Sequence, residues 1–330
     1  MSEFATVLQA VLPVFCLALV GVVLRKVDWL TEEADASLMR VVLNVLTPAL
    51  ILDKVLGNVA LRRPENLFLP PLLGFGGVAL GVGVCWILRK RLKLGGDRAE
   101  RTFASVTGIQ NYGYVPLPLI EQLFPGNTTG VLFVHNLGVD TAMWTICLVA
   151  LGHGGLREWR RLITAPILAI VAALALNTLH ADLWLPRFAL TTAHMLGACC
   201  FPLGIVLIGA TLADSSRELR QELGLRSMAW SCLLRLGLLP VLLLVIAYFV
   251  PASRELKQVL VVQAAMPAAV FPIVLARHFG GDRLTSIRVV VATSMVGFFT
   301  IPFWLKVGMK VVGLTVAGKV VGLTVAGIEN

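Results

Sequence analysis

The chain is written in long apolar blocks separated by short polar stretches. Ten blocks stand out: Val7–Leu24, Ala36–Leu56, Leu67–Leu88, Thr102–Phe124, Thr128–Leu151, Leu162–His180, Phe188–Leu212, Leu225–Val250, Leu256–Arg277 and Thr285–Val312. Each is long enough to carry a helix across a hydrocarbon layer of about 30 Å. Their apolar character is continuous, whereas membrane strands are shorter and alternate, so the pattern predicts helices rather than a barrel. Two blocks are interrupted in matching ways. Gly108–Phe124 reads GIQNYGYVPLPLIEQLF and Gln263–Phe279 reads QAAMPAAVFPIVLARHF. Each sets prolines, with amides or glycines nearby, where an ordinary membrane helix would be unbroken.

The prolines recur at a nearly fixed offset. Pro13 matches Pro166, Pro48 matches Pro202, and Pro116 matches Pro272, at separations of 153, 154 and 156. The pairs fall in the same order, first helix with sixth, second with seventh, fourth with ninth. This predicts an internal duplication of five helices. Five is odd, so the second copy enters from the opposite face, which gives the inverted repeat of secondary transporters. The expected fold is therefore an all-α membrane protein of ten transmembrane helices. Residues 1–152 form a first five-helix repeat, 162–312 a second, inverted one, and 313–330 a tail holding a nine-residue tandem duplication (VVGLTVAGK, then VVGLTVAGI).

Composition agrees. The 330 residues are 57% hydrophobic and 14% charged, with mean hydropathy +0.85, against about 25% charged in soluble domains. The net charge of +9 reflects topology rather than a nucleic-acid surface. Sixteen of the 28 Lys and Arg residues fall in odd-numbered loops and six in even ones. Positive loops stay cytoplasmic, so both termini are expected outside. The loops leave no room for an ATPase module. The nearest phosphate-loop match, Gly313–Val320, lacks the Ser/Thr that would hold magnesium. The six cysteines have neither CxxC nor metal spacing. No HExxH, GxSxG or acidic metal cluster is present, so neither an enzyme nor a bound metal or cofactor is expected.

Four segments carry a family resemblance: NYGYVPLPL (Asn111–Leu119), MPAAVFPIVLARHFGGD (Met266–Asp282), VLNVLTPALIL (Val42–Leu52) and TSMVGFFTIPFWL (Thr293–Leu305). The chain resembles the auxin efflux carrier family, the bacterial relatives of plant PIN proteins, over essentially its whole length. That resemblance implies the sodium/proton antiporter-like fold shared with bile-acid carriers, in which helices four and nine are broken and cross. It implies a scaffold of helices one, two, six and seven, and a transport unit of helices three to five and eight to ten. It also implies a multi-pass protein of the bacterial inner membrane, surrounded by lipid, and a homodimer through the scaffold would fit the family.

A helix broken at proline loses a backbone donor and frees carbonyls on one side and N–H groups on the other. In hydrocarbon these must face protein or water. Helix N-termini carry about half a positive charge each, so two of them brought together suit a carboxylate. A small organic anion is the expected substrate. The candidate binding residues are Asn111, Tyr112, Tyr114 and Pro116 at the first break, and Gln263, Pro267 and Pro272 at the second. Asn44 joins them from the second helix, where it lies four residues before Pro48 on what would be one face. Asp140, with His135 five residues earlier, is an acid at membrane depth and a candidate by default. Two readings stand for it: a coupling proton carrier, or an ion-pair partner of Arg235 or Arg288. Sodium coupling is the alternative mechanism, although the breaks offer little negative charge.

Overall fold

A computed structural model describes residues 3–152, 163–219 and 224–314. Among them every regular element is helical. The helices are α1 (Glu3–Lys26), α2 (Glu32–Val55), α3 (Glu65–Leu88), α4 (Asp97–Gly108), α5 (Pro116–Leu123), α6 (Thr128–Leu151), α7 (Ala165–Thr178), α8 (Arg187–Leu219), α9 (Leu225–Phe249), α10 (Arg254–Ala264), α11 (Phe271–His278) and α12 (Arg283–Val312). Seven of these, α1, α2, α3, α6, α8, α9 and α12, are long and apolar enough to cross a membrane. The sixth predicted block is shorter than expected: α7 has 14 residues, and the predicted start at Leu162 lies outside the described residues. The fourth and ninth blocks are each split into two half-helices. Residues 153–162, with Arg157, Arg160 and Arg161, and 315–330 of the duplicated tail also lie outside the described residues; Gly313 closes α12 in the left-handed region at φ 71°.

Proline accompanies two of the three π-turns described inside the long helices; the third, Met143–Cys147 in α6, has none. Pro48 and Pro240 lack the N–H that would close the preceding turn. In both helices the turn just before widens into a π-turn, Val42–Leu46 in α2 and Leu234–Leu238 in α9. The residue ahead of each proline bonds five back instead of four: Thr47 N–H to the Val42 carbonyl, Leu239 N–H to the Leu234 carbonyl. The Leu236 carbonyl, four residues before Pro240, accepts the Trp304 indole N–H from α12 at 2.6 Å. Short π-turns of this kind often mark functional positions.

Packing depends on glycines that let backbones touch, as expected where lipid supplies no hydrophobic drive between helices. α3 and α6 make the most extensive contact. A Cβ on Gly138 would collide with the Pro71 carbonyl, and one on Gly74 with the His135 carbonyl. α1 and α8 meet in the same reciprocal way, through Gly21 against Val206 and Gly209 against Ala18. In the glycine-rich α3 the close approaches are at Gly74 and Gly81, while Gly77 makes only ordinary contact with Leu243. The outer surface is apolar: Phe68, Leu72 and Phe299 are 77%, 66% and 75% exposed. Such a surface is stable against lipid and not against water.

Two ion clusters tie helix ends together. Arg25 at the end of α1 is buried, pairs with Asp35 of α2 and Asp214 of α8, and donates to the Leu30 carbonyl. At the other end of α2, Lys54 pairs with Asp53 and with Glu121 of α5, at 3.4 and 3.2 Å. Asp53 also meets His194 of α8 at 3.1 Å.

Candidate functional site: two paired helix breaks

The extended chain after α4 lies antiparallel to the extended chain after α10. Gln110 bridges to Ala268, the Asn111 N–H donates to the Pro267 carbonyl at 2.7 Å, and the Ala269 N–H donates to the Ile109 carbonyl at 3.1 Å. Ala268 turns its own N–H to the Thr293 hydroxyl of α12. The two breaks therefore satisfy much of each other's exposed backbone, as an apolar surrounding requires. Pro116 and Pro272 sit in the first turns of α5 and α11, where a missing N–H costs nothing. Antiparallel pairing sets the end of α10 beside the approach to α5, and the end of α4 beside the approach to α11.

Polar side chains converge on the first break. The Tyr112 carbonyl accepts from the Gln263 amide of α10 at 3.1 Å and from the Asn136 amide of α6 at 2.9 Å. The Tyr112 hydroxyl donates to the Asp140 carboxylate at 2.6 Å. Tyr114 leans on Gly204 of α8, where any side chain would meet its ring. Asn111 is 7% exposed, and no described residue bonds its side-chain amide. The side-chain oxygens of Gln110 and Gln263 are buried with no hydrogen-bond partner.

One cation serves both breaks. Arg235 lies in the α9 π-turn and is wholly buried. Its Nε donates to the Met266 carbonyl at 3.2 Å and its Nη1 to the Gly108 carbonyl at 3.4 Å. Gly108 is the last residue of α4, and Met266 lies two residues past the end of α10, where the chain turns into the second break. Nη2 is buried without a partner, and no carboxylate among the described residues forms an ion pair with Arg235.

The sequence profile of a family described as "Membrane transport protein" matches residues 6–155 and 157–305. An "Uncharacterized transporter" from Methanothermobacter thermautotrophicus (strain ATCC 29096 / DSM 1053 / JCM 10044 / NBRC 100330 / Delta H) is 27% identical over 305 residues, covering 90% of this chain and 96% of that protein. The chain belongs to the membrane transport protein family, that of the auxin efflux carriers. It is an integral, multi-pass transporter, and its family implies a small-molecule substrate and a lipid surrounding.

Within this transporter the geometry sorts the sequence candidates. Asn111, Tyr112, Gln263 and Pro267 come together at the paired breaks, and Asp140 reaches them through Tyr112. His135 lies nearby but contacts its neighbour Asn136, at 3.4 Å. Asn44 does not join the cluster: it is exposed on α2 and donates to the Arg40 carbonyl. The π-turn Val42–Leu46, which contains Asn44, breaks the α-helical register on which its shared face with Pro48 was predicted. Of the two readings open for Asp140, the ion pair with Arg235 is not formed: Asp140 accepts from Tyr112, and Arg235 donates to two carbonyls. Asn136 and Thr293 were not singled out in the sequence, since an amide or hydroxyl on an apolar helix has no pattern of its own. Arg235 left a stronger signal: it is a charge in mid-span, five residues before a proline.

Proposed function

We propose that this transporter moves a small organic anion, a carboxylate, by alternating access, binding it at the paired breaks. The observation that carries the reading is the buried guanidinium of Arg235 on the two carbonyl ends. It offsets the negative ends of α4 and α10 and leaves the positive N-terminal ends of α5 and α11 to act on a ligand. These N-terminal ends, free of an opposing carbonyl charge, suit an anion. The free amide of Asn111 would donate to it, with Tyr112, Tyr114 and Gln263 shaping the pocket.

The ten-helix inverted repeat is part of the same reading. A two-fold axis in the membrane plane would make two copies of one segment run antiparallel, and Asn111 bonds Pro267, 156 positions on, the same offset as Pro116 to Pro272. Thr47 meets Cys200 beside Pro48 and Pro202 in the same manner, at 3.3 Å. The scaffold would comprise α1, α2, α7 and α8, with the remaining helices carrying the site between the two faces. Both termini would lie outside the bacterial inner membrane, and two copies would associate through the scaffold. Asp140 would carry a coupling proton.

The test is flux of a panel of labelled carboxylates in proteoliposomes under a proton gradient, a sodium gradient or neither. Asn111→Ala is expected to weaken carboxylate binding by about 1–3 kcal/mol, roughly 5- to 150-fold. Unchanged affinity removes Asn111 from the site. Flux that ignores both Asn111→Ala and Pro116→Ala rules out binding at the breaks.

A further inference from the structure

Arg235 heads the largest wholly buried side chains among the described residues. Guanidinium is always charged, and a buried charge without compensation is costly. Its compensation here is unusual, because it comes from backbone rather than from an acid. Each helix C-terminus carries about half a negative charge, so the two ends it caps sum to about one, the charge of a single monovalent cation. The arginine is also fixed in place. The π-turn ahead of Pro240 sets its position on α9, and Trp304 of α12 holds the turn's freed Leu236 carbonyl.

Carbonyl oxygens at converging half-helix ends are the ligands that transporters offer to a mobile sodium ion or proton. In this protein a side chain already binds them. We propose that Arg235 is a tethered cation that occupies the place of a mobile coupling ion, so that substrate movement here requires no sodium. The inference rests on the transport reading above and extends it to charge balance. With one carboxylate bound and Asp140 protonated, the arginine and its ligand cross as a neutral pair. With the site empty and Asp140 ionised, the two residues return as a neutral pair as well. An uncharged residue at 235 would reopen the carbonyl ends to a free cation.

The experiment is thermal unfolding of the purified full chain, titrated with sodium chloride against choline chloride at constant ionic strength, and with guanidinium chloride at low millimolar concentration. The wild type is expected to show no sodium-specific shift in Tm. Arg235→Gln is expected to melt lower and to recover saturably with sodium or guanidinium, while Arg235→Lys keeps the charge and stays close to wild type. Carboxylate flux is expected to become sodium-dependent in Arg235→Gln alone. Saturable sodium stabilisation of the wild type overturns the proposal. So does an Arg235→Gln protein that folds but ignores both cations. Should Arg235→Gln fail to fold, Arg235→Lys decides: a folded, sodium-insensitive lysine variant supports the charge role, and equal loss in both overturns it. Absence of carboxylate flux with these cation responses intact would remove the transport reading and leave the tethered cation standing.

Discussion

Gly138→Val is expected to yield little or no monodisperse protein, while Gly76→Val leaves Tm unchanged. Gly138 lies at the α3–α6 contact, whereas Gly76 lies on the exposed side of α3. A Cβ on Gly138 falls on the Pro71 carbonyl and close to the Phe75 nitrogen, which are backbone atoms that cannot turn aside. A Cβ on Gly76 meets nothing within 4 Å. Overpacking a tight contact costs about 1–3 kcal/mol even where side chains can move, and backbone can yield only by separating the helices. α6 carries both Asn136 and Asp140, so a shift there also withdraws their bonds from Tyr112. Size-exclusion profiles and thermal melts of the two variants in detergent make the check. A Gly138→Val protein that melts with the wild type would mean that α3 and α6 do not pack at the distance seen here.

Asp140→Asn is expected to abolish the response of carboxylate flux to a pH gradient while leaving exchange without a gradient largely intact. Asparagine keeps an oxygen for the Tyr112 hydroxyl, so the contact and the shape of the break survive. It cannot take up and release a proton across the working pH range. Tyr112→Phe removes the bond but keeps the acid, and should weaken binding while retaining the pH response. Flux in proteoliposomes, measured for both variants with and without an imposed gradient, separates the two roles. If Asp140→Asn responds to the gradient as the wild type does, Asp140 is a structural acceptor and carries no proton.

Several features of the site were readable from the chain alone. The breaks were visible as Pro116, Pro267 and Pro272 in otherwise apolar blocks, because proline acts locally, through its own missing N–H. The four residues now found at the paired segments, Asn111, Tyr112, Gln263 and Pro267, were visible for the same reason: they are the polar or irregular positions beside those prolines. Asn44 stands apart from these residues, exposed on α2 within the π-turn ahead of Pro48, where it donates to the Arg40 carbonyl. Arg235 was noticed as a charge in a membrane helix, and an ion pair with Asp140 was one of two readings left open. Its true partners, the carbonyls of Gly108 and Met266, are backbone atoms, and backbone atoms carry no label in a sequence.

Length, hydropathy and proline placement thus determined that the chain is a helical membrane protein and where it is interrupted. These depend on residue type and on separations of a few positions along one chain. Only the tertiary structure decided that the two interruptions bond to one another, that Tyr112 rather than an arginine meets Asp140, and that one guanidinium caps two helix ends. Those outcomes join residues from 28 to more than 150 positions apart. They follow from the demand that every peptide group and every charge in an apolar surrounding find a partner, wherever the fold brings one within reach.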